Sequence, residues 1–278
     1  MKKMMLVLLL LGNVLCFADD VQERANEKLK LGVSLYHTEK SSWLSSDLLS
    51  EKYIAFRSLV GGYVSYKGKD DYVYTVFYSK GDKSVPVIRF RFDTSFDKKN
   101  VFVESNELTM NELESKLIKL RELATKEIFG DKDSLFKFYE RTKYNLIPIE
   151  YNDSLFVYVL TAPHESGYII IGNDYKLTFN SELECIRKQN FHNSIIKLPF
   201  DSKNKSDSEI EMTVHTHVIS DIIDETDICT MLLYKEFLVW NQHFVIGEEY
   251  VSMFKLEPPS VIIMKTEMFM KIMDNKKE

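Results

Sequence analysis

Cysteine is scarce in this chain, with three in 278 residues, at positions 16, 185 and 229. There is no Cys-x-x-Cys pair, so a dithiol redox motif is excluded. If a leader containing Cys16 is removed, at most one disulfide can form. Cys185 and Cys229 are then either that bridge, as an oxidising compartment allows, or two buried thiols that act as small hydrophobes. Positive charge is also in deficit: 36 Lys and Arg face 42 Asp and Glu, a formal net charge of −6, and no basic cluster stands out. Nucleic acid binding needs a basic face to displace counterions, so nucleic acid is not an expected partner. After the first residues no apolar run approaches the ~20 needed to cross a bilayer. The chain has no Gly-x-Ser-x-Gly elbow, no phosphate-binding Gly-Lys-Ser/Thr loop, no repeats and no low-complexity linker. Asp131-Lys132-Asp133 lacks the Gly and the closing Glu of a calcium loop.

What is present begins at the first residue. Lys2 and Lys3 precede an unbroken apolar run from Met4 to Leu11; Gly12 and Asn13 interrupt it, and Cys16-Phe17-Ala18 comes before Asp19-Asp20. These are the three regions of a secretory signal, with Ala18 at the cleavage position. The run is too short for a membrane span. Leu15 before Cys16 is not small, which argues against a lipid anchor there. The expectation is a bacterial-type exported protein, secreted or periplasmic, with residues 1–18 removed and no membrane span afterwards. Loss of Lys2 and Lys3 makes the mature chain more acidic. Fifteen Tyr and eighteen Phe supply ample material for a core.

Residues 19–52 read as helical or irregular, with a short surface helix at 45–52. Residues 63–66, 72–78 and 85–92 are β-rich, separated by turns at 67–71 and 81–83, so an antiparallel meander is expected. Thr109 and Glu112 suggest a capping box. Leu113, Leu117, Leu120, Ala124 and Ile128 then recur at helical spacing up to Gly130. A second short helix is expected over 133–144. Strands follow near 146, then at 155–160, 168–171, 177–179, 194–198 and 211–218, with a polar loop at 201–209. Residues 227–240 form a helix apolar on nearly every side, which points to burial. Strands at 244–246, 250–256 and 261–265 and a helix at 266–274 close the chain.

The pattern with chemical content is His215-Thr216-His217, with Asp227 ten residues later. Side chains two apart on a strand share a face, roughly 6.5 Å apart at Cα, so both imidazoles can reach one ion. Asp227 falls in the first turn of the next helix and supplies a third ligand. Three protein ligands and an open position describe a catalytic zinc site. Other readings stand beside it: hydrogen-bonded structural histidines, and an acid favoured near a helix N-terminus. Along the strand Ile210, Met212, Val214, Thr216 and Val218 share one face, and Glu211, Thr213, His215 and His217 the other. The histidines thus fall on the polar face, where a groove is expected. His37, His164, His192 and His243 show no ligand spacing; His243, before an apolar strand, reads as structural.

The stretch resembles the JAMM/MPN (JAB1-type) metalloprotease domain. That family carries a Glu before an apolar strand ending in Gly, then His-x-His, then Ser-x-x-Asp opening a helix. Here Glu165-Ser166-Gly167-Tyr168-Ile169-Ile170-Ile171-Gly172 resembles the first element, His215-Thr216-His217 the second, and Asp224-Glu225-Thr226-Asp227 the third. The resemblance covers about 157–265. It implies His215, His217 and Asp227 as zinc ligands, Glu165 as general base, and a protein or peptide substrate. Asp224 stands at the catalytic position where the family has Ser, whose hydroxyl helps hold the oxyanion. A carboxylate there opposes developing negative charge. The loop after His217 is one residue shorter than the family pattern, and Glu165 lies two rather than three residues before Gly167. Without the resemblance, Glu165 reads equally as an exposed loop acid. The implied fold is α/β: a C-terminal α/β/α layered domain with a mixed sheet at 146–278, preceded by an α+β accessory region with an antiparallel meander at 19–145. The function implied is an exported zinc hydrolase of a peptide or isopeptide bond. The rival is an envelope binding or structural protein that keeps the fold without the activity.

Overall fold

The computed structural model describes residues 2–200 and 212–275, with side chains from residue 20 onward. The expected polar loop at 201–209 and the first residue of the strand at 211–218 lie outside the described residues, as do the side chains of the expected leader. In chain order the elements are helix α1 (Lys2–Glu51), short helix α2 (Ile54–Arg57), strands β1 (Val60–Lys67), β2 (Val73–Ser79), β3 (Pro86–Phe92) and β4 (Phe102–Glu104), and helix α3 (Glu112–Phe129). Strands β5 (Thr142–Tyr151), β6 (Ser154–Pro163), β7 (Tyr168–Gly172), β8 (Tyr175–Phe179), β9 (Cys185–Asn190), β10 (Ile195–Pro199) and β11 (Met212–Thr216) follow. Helix α4 (Glu225–Tyr234), strands β12 (Gln242–Ile246), β13 (Tyr250–Leu256) and β14 (Pro259–Lys265), and helix α5 (Thr266–Asn275) complete the chain. Among the described residues no helix is long and apolar enough to cross a membrane.

The fold is mixed α/β and divides into two compact units. One comprises residues 33–200, the other residues 1–32 with 201–278. The division does not fall near residue 145, which lies inside β5. That strand pairs along its whole length with β6, from Thr142 opposite Pro163 to Tyr151 opposite Ser154.

In the unit of residues 33–200, β1 to β4 form the expected antiparallel meander in sequential order. Strands β5, β6, β8 and β9 make a second antiparallel sheet, and β7 pairs with β10. Helix α3 fills the core with both: Leu117, Leu120, Ala124 and Ile128 cluster with Val64 and Val76 of the meander and with Val157, Val159 and Leu177 of the second sheet. The helical spacing of those α3 residues predicts this face, and Gly130 ends the helix as its C-cap. The capping box begins two residues later than Thr109. Asn111 is the N-cap, its side chain accepting the Glu114 N–H at 2.8 Å. Thr109 instead offers its carbonyl to Arg89. The helix expected over 133–144 is irregular chain up to β5. Asp131 accepts the N–H groups of Asp133, Leu135 and Phe136, and the Tyr175 hydroxyl accepts that of Lys137. A helix starting at Asp133 would leave its first four N–H groups without internal partners in any case, so of these bonds only that of Lys137 takes a donor such a helix would need. Residues 45–52 are no separate surface helix; they extend α1, and Ser45, Leu48 and Leu49 are buried. Strand β9 carries Arg187, Lys188 and Gln189, and its mixed, half-exposed pattern gives no clean alternation to read.

In the other unit the sheet order is β11-β12-β13-β14. Strands β11 and β12 are parallel, the rest antiparallel. A parallel pair needs a crossover, and α4 supplies it. Every α4 residue from Glu225 to Leu233 is buried, as its apolar composition predicts. The helix stops at Tyr234 rather than continuing to 240, and a short 3-10 turn (Lys235–Phe237) follows. Beyond Tyr234 the apolar side chains of Phe237 and Val239 are exposed, so burial no longer sustains the helix. The N-terminal part of α1 belongs to this unit. Gln22 donates to the Val261 carbonyl and accepts the Ile263 N–H on β14, and Gly32 lies so close to α4 that a Cβ would sit 2.7 Å from Ile228.

Candidate metal centre

The histidine face of β11 is turned inward. His215 and His217 are 6% and 7% exposed, whereas Val214 and Met212 on the opposite face are 58% and 39% exposed. The alternation is the expected one, but its polar side is the buried side. Period-two patterning separates two faces without saying which is the core. The inversion holds because α4 and β12 bring polar partners to the inner face.

Those partners come from the α4 N-terminus. Asp224 is the N-cap, and Asp227, at the third helical position, accepts the Asp224 N–H at 3.0 Å through Oδ2. This cap holds the Asp227 carboxylate against the histidines. His217 Nε2 lies 3.2 Å from Asp227 Oδ2, and His215 Nε2 lies 3.8 Å from Oδ1. One ligand atom from each of the three residues falls within 4.8 Å of the others. Ligands held at zinc–nitrogen distances around a tetrahedral ion stand about 3.3 Å apart. The observed 3.2 and 3.8 Å bracket that spacing. The buried His215, His217 and Asp227 can therefore hold a metal ion.

A second tier fixes the imidazoles. His217 Nδ1 lies 2.8 Å from Ser220 Oγ and 3.2 Å from the Ile222 carbonyl. A carbonyl only accepts, so Nδ1 carries the proton and Nε2 faces Asp227. Ser220 donates to Asp224 Oδ2 at 2.6 Å. Lys28 on α1 binds the other Asp224 oxygen and reaches Glu225 Oε2 at 3.4 Å. Burial pushes the Asp224 carboxyl above the usual range, with Lys28 pulling the other way. Burial would lower the Lys28 ammonium, but Asp224 and Glu225 outweigh it, and its pKa rises. His215 Nδ1 meets His243 Nε2 at 2.8 Å, and His243 Nδ1 meets Thr213 Oγ1 at 2.8 Å. Burial, and next the charge of His215, push His243 down to about 3, so this ring is neutral at physiological pH. Beside His217, a cavity of about 570 Å3 is lined by residues that include Thr216, Ser220, Asp221, Gly247 and Glu248.

The sequence pattern brings together His215, His217, Asp224 and Asp227. It gives no notice of Lys28, nearly two hundred residues away, or of Ser220. His243 has the structural hydrogen bonds expected of it, but they lead to His215. Register is the signal that finds it, because Thr213 on β11 stands opposite His243 on β12. Glu165 belongs to the unit of residues 33–200. It sits between β6 and β7 with its side chain 62% exposed and 3.7 Å from the Arg141 guanidinium. It lines a cavity of about 170 Å3 with Arg141, Tyr168 and Lys197. The apolar run after it is β7, ending at Gly172 with φ of 95° as the motif suggests. Among the described residues Cys229 is a buried thiol on α4 and Cys185 a half-buried thiol on β9. Comparison of the chain with protein-family models, with curated proteins and with solved structures finds no match in any of the three.

Proposed function

We propose that this chain is an exported zinc-dependent hydrolase of the JAMM/MPN type, diverged in its catalytic surroundings and cleaving a peptide or isopeptide bond. The observation that carries the reading is the meeting of His215, His217 and Asp227 through one strand–helix pair, with ligand spacing that fits zinc. Two imidazoles and one carboxylate are donors of the kind that catalytic zinc sites use. Zinc in such a site supplies Lewis acidity and lowers the pKa of water. The order strand, helix and three further strands after His-x-His also agrees with the family pattern. The α/β/α layering of that family belongs to this proposal.

The residues of the chain divide the work. His217 and His215 present Nε2, each oriented by the bond at Nδ1. Asp224 takes the place of the family Ser. Its charge is countered by Lys28, so the repulsion expected of a bare carboxylate is reduced. The cavity beside His217 is the proposed place of the substrate. Glu165 is proposed as the general base. The leader expected at 1–18 supports reading the mature chain as secreted or periplasmic. A second reading, metal binding without hydrolysis, is favoured by Asp224 itself, since no hydroxyl donor stands at that position.

Metal content of the purified protein tests the proposal, beside a His215→Ala/His217→Ala variant. Near-stoichiometric zinc in the parent and none in the variant is the expected result. An empty parent, even after incubation with excess zinc, overturns it. A peptidase screen then separates the two readings. Turnover abolished by Glu165→Gln with zinc retained supports the hydrolase, and zinc without turnover of any peptide or isopeptide leaves the binding protein.

A further inference from the structure

The two histidines of the proposed zinc site are supported differently. His217 gives its Nδ1 proton toward the Ile222 carbonyl, which has no proton to return, so its tautomer is set. His215 has another imidazole at that place, and an imidazole nitrogen can donate or accept. Thr213, His243 and His215 form a row joined by two 2.8 Å bonds on the inner face of β11 and β12. His243 is fully buried; its ring stacks beside that of Trp240 at a centroid distance of 5.8 Å and meets His215 edge to edge, with centroids 4.9 Å apart.

With one proton on each ring the row has two directions. In one, His215 Nδ1–H donates to His243 Nε2, and His243 Nδ1–H donates to Thr213 Oγ1. The lone pair of His215 Nε2 then points toward Asp227. In the other, the Thr213 hydroxyl donates to His243 Nδ1, and His243 Nε2–H donates to His215 Nδ1. The one ring proton of His215 then sits on Nε2, on the Asp227 side, where it excludes a cation. Only the first direction makes His215 a ligand.

We propose that His243 is a positioning residue that sets the tautomer of His215, accepting its Nδ1 proton and passing the row's polarity to Thr213, so that metal affinity depends on a residue that touches no metal. The inference rests on the zinc reading above. Groups that orient a ligating histidine are typically worth 10- to 100-fold in metal affinity. Most are carboxylates or carbonyls; here the group is another imidazole, held by Thr213 on one side and packed beside Trp240.

Zinc affinity of the full chain is measured by chelator competition for the parent, His243→Phe and His243→Gln. Phe keeps a flat ring beside Trp240 but accepts no proton; Gln keeps an acceptor for His215 and a donor for Thr213. We expect affinity to fall about 10- to 100-fold in His243→Phe and to be largely restored in His243→Gln. Equal affinity in a folded His243→Phe overturns the inference while the zinc reading stands. No zinc in the parent overturns both. Nitrogen-15 NMR of the histidine rings in the unsubstituted protein gives an answer that needs no variant to fold. Zinc-loaded His215 is expected to carry its proton on Nδ1, and a proton on Nε2 sinks the inference.

Discussion

Helix α3 opens at Asn111 and helix α4 at Asp224, and in each the acid at the third helical position accepts the N–H of the capping residue, Glu114 at 2.9 Å and Asp227 at 3.0 Å. Both acids are wholly buried. Around Glu114 stand hydrogen-bond donors of fixed sign. Arg89 binds both its oxygens at 2.9 Å, and the Tyr66 hydroxyl adds a third bond at 3.0 Å. Around Asp227 stand two imidazoles, whose nitrogens can carry a proton or a metal, and a second carboxylate on Asp224. The cap is the same; the partners decide whether the carboxylate ties a structure together or offers a ligand. A buried acid at a helix start is thus no sign of function until its partners are known.

The largest effect that sharpens this contrast is expected at Glu114. Glu114→Ala strips the guanidinium of Arg89, only 14% exposed, of its bidentate partner and removes the acid half of the capping box. Glu104 remains at 3.2 Å, so the loss should sit near the lower end for a broken buried pair, about 3 kcal/mol. Urea unfolding of the variant gives this number. Zinc content of the folded fraction should be unchanged. A stability loss below ~1 kcal/mol would remove the structural half of the comparison.

Asp227→Asn should behave oppositely. The asparagine Oδ1 still accepts the Asp224 N–H, and one of two crowded buried carboxylates loses its charge. Stability of the metal-free chain is expected to move by less than about 1 kcal/mol. Zinc affinity should fall more than about 100-fold, since a first ligand matters more than the groups behind it. If instead the variant unfolds like Glu114→Ala and keeps its zinc, Asp227 is a cap and nothing more.

The same contrast explains what could be read ahead. The meander strands and the apolar face of α3 follow directly from periodicity. The meeting of His215, His217 and Asp227 follows from His-x-His spacing and an acid at a helix start. What escaped depends on tertiary context. Thr109 and Asn111 are both plausible caps, and the choice fell to the residue whose third successor, Glu114, could also bind Arg89 from a strand. The chain at 133–144 has helical composition, but the Tyr175 hydroxyl, from a later strand, takes the Lys137 N–H. The inward turn of the histidine face needs α4 and β12 as partners. Lys28 meets Asp224 only because α1 packs on α4 at Gly32, a position with no room for a side chain.

The smallest effect concerns a third buried acid, Glu39 on α1. It accepts Trp43 Nε1 at 2.8 Å, Asn145 Nδ2 at 3.0 Å and Ser42 Oγ at 3.1 Å. Burial nevertheless pushes its carboxyl above the usual range, against the bonds from Trp43 and Ser42. A folded pKa above the unfolded one means the folded chain holds the proton longer. The contribution is complete below the unfolded value, about 4.3, and is lost as pH rises through the folded one. While only the unfolded chain has ionised, the cost is up to about 1.4 kcal/mol per pH unit. Glu39→Gln keeps an acceptor for Trp43 and has no charge to bury. Its stability relative to the parent should be similar near pH 4 and should rise toward neutral pH. Asp224, raised for the same reason, shifts stability in the same direction, so the variant should flatten the urea midpoint against pH without abolishing its slope. A parent and variant that run parallel from acid to neutral pH would mean that Glu39 ionises as readily in the folded chain as in the unfolded one, its three donors offsetting the burial.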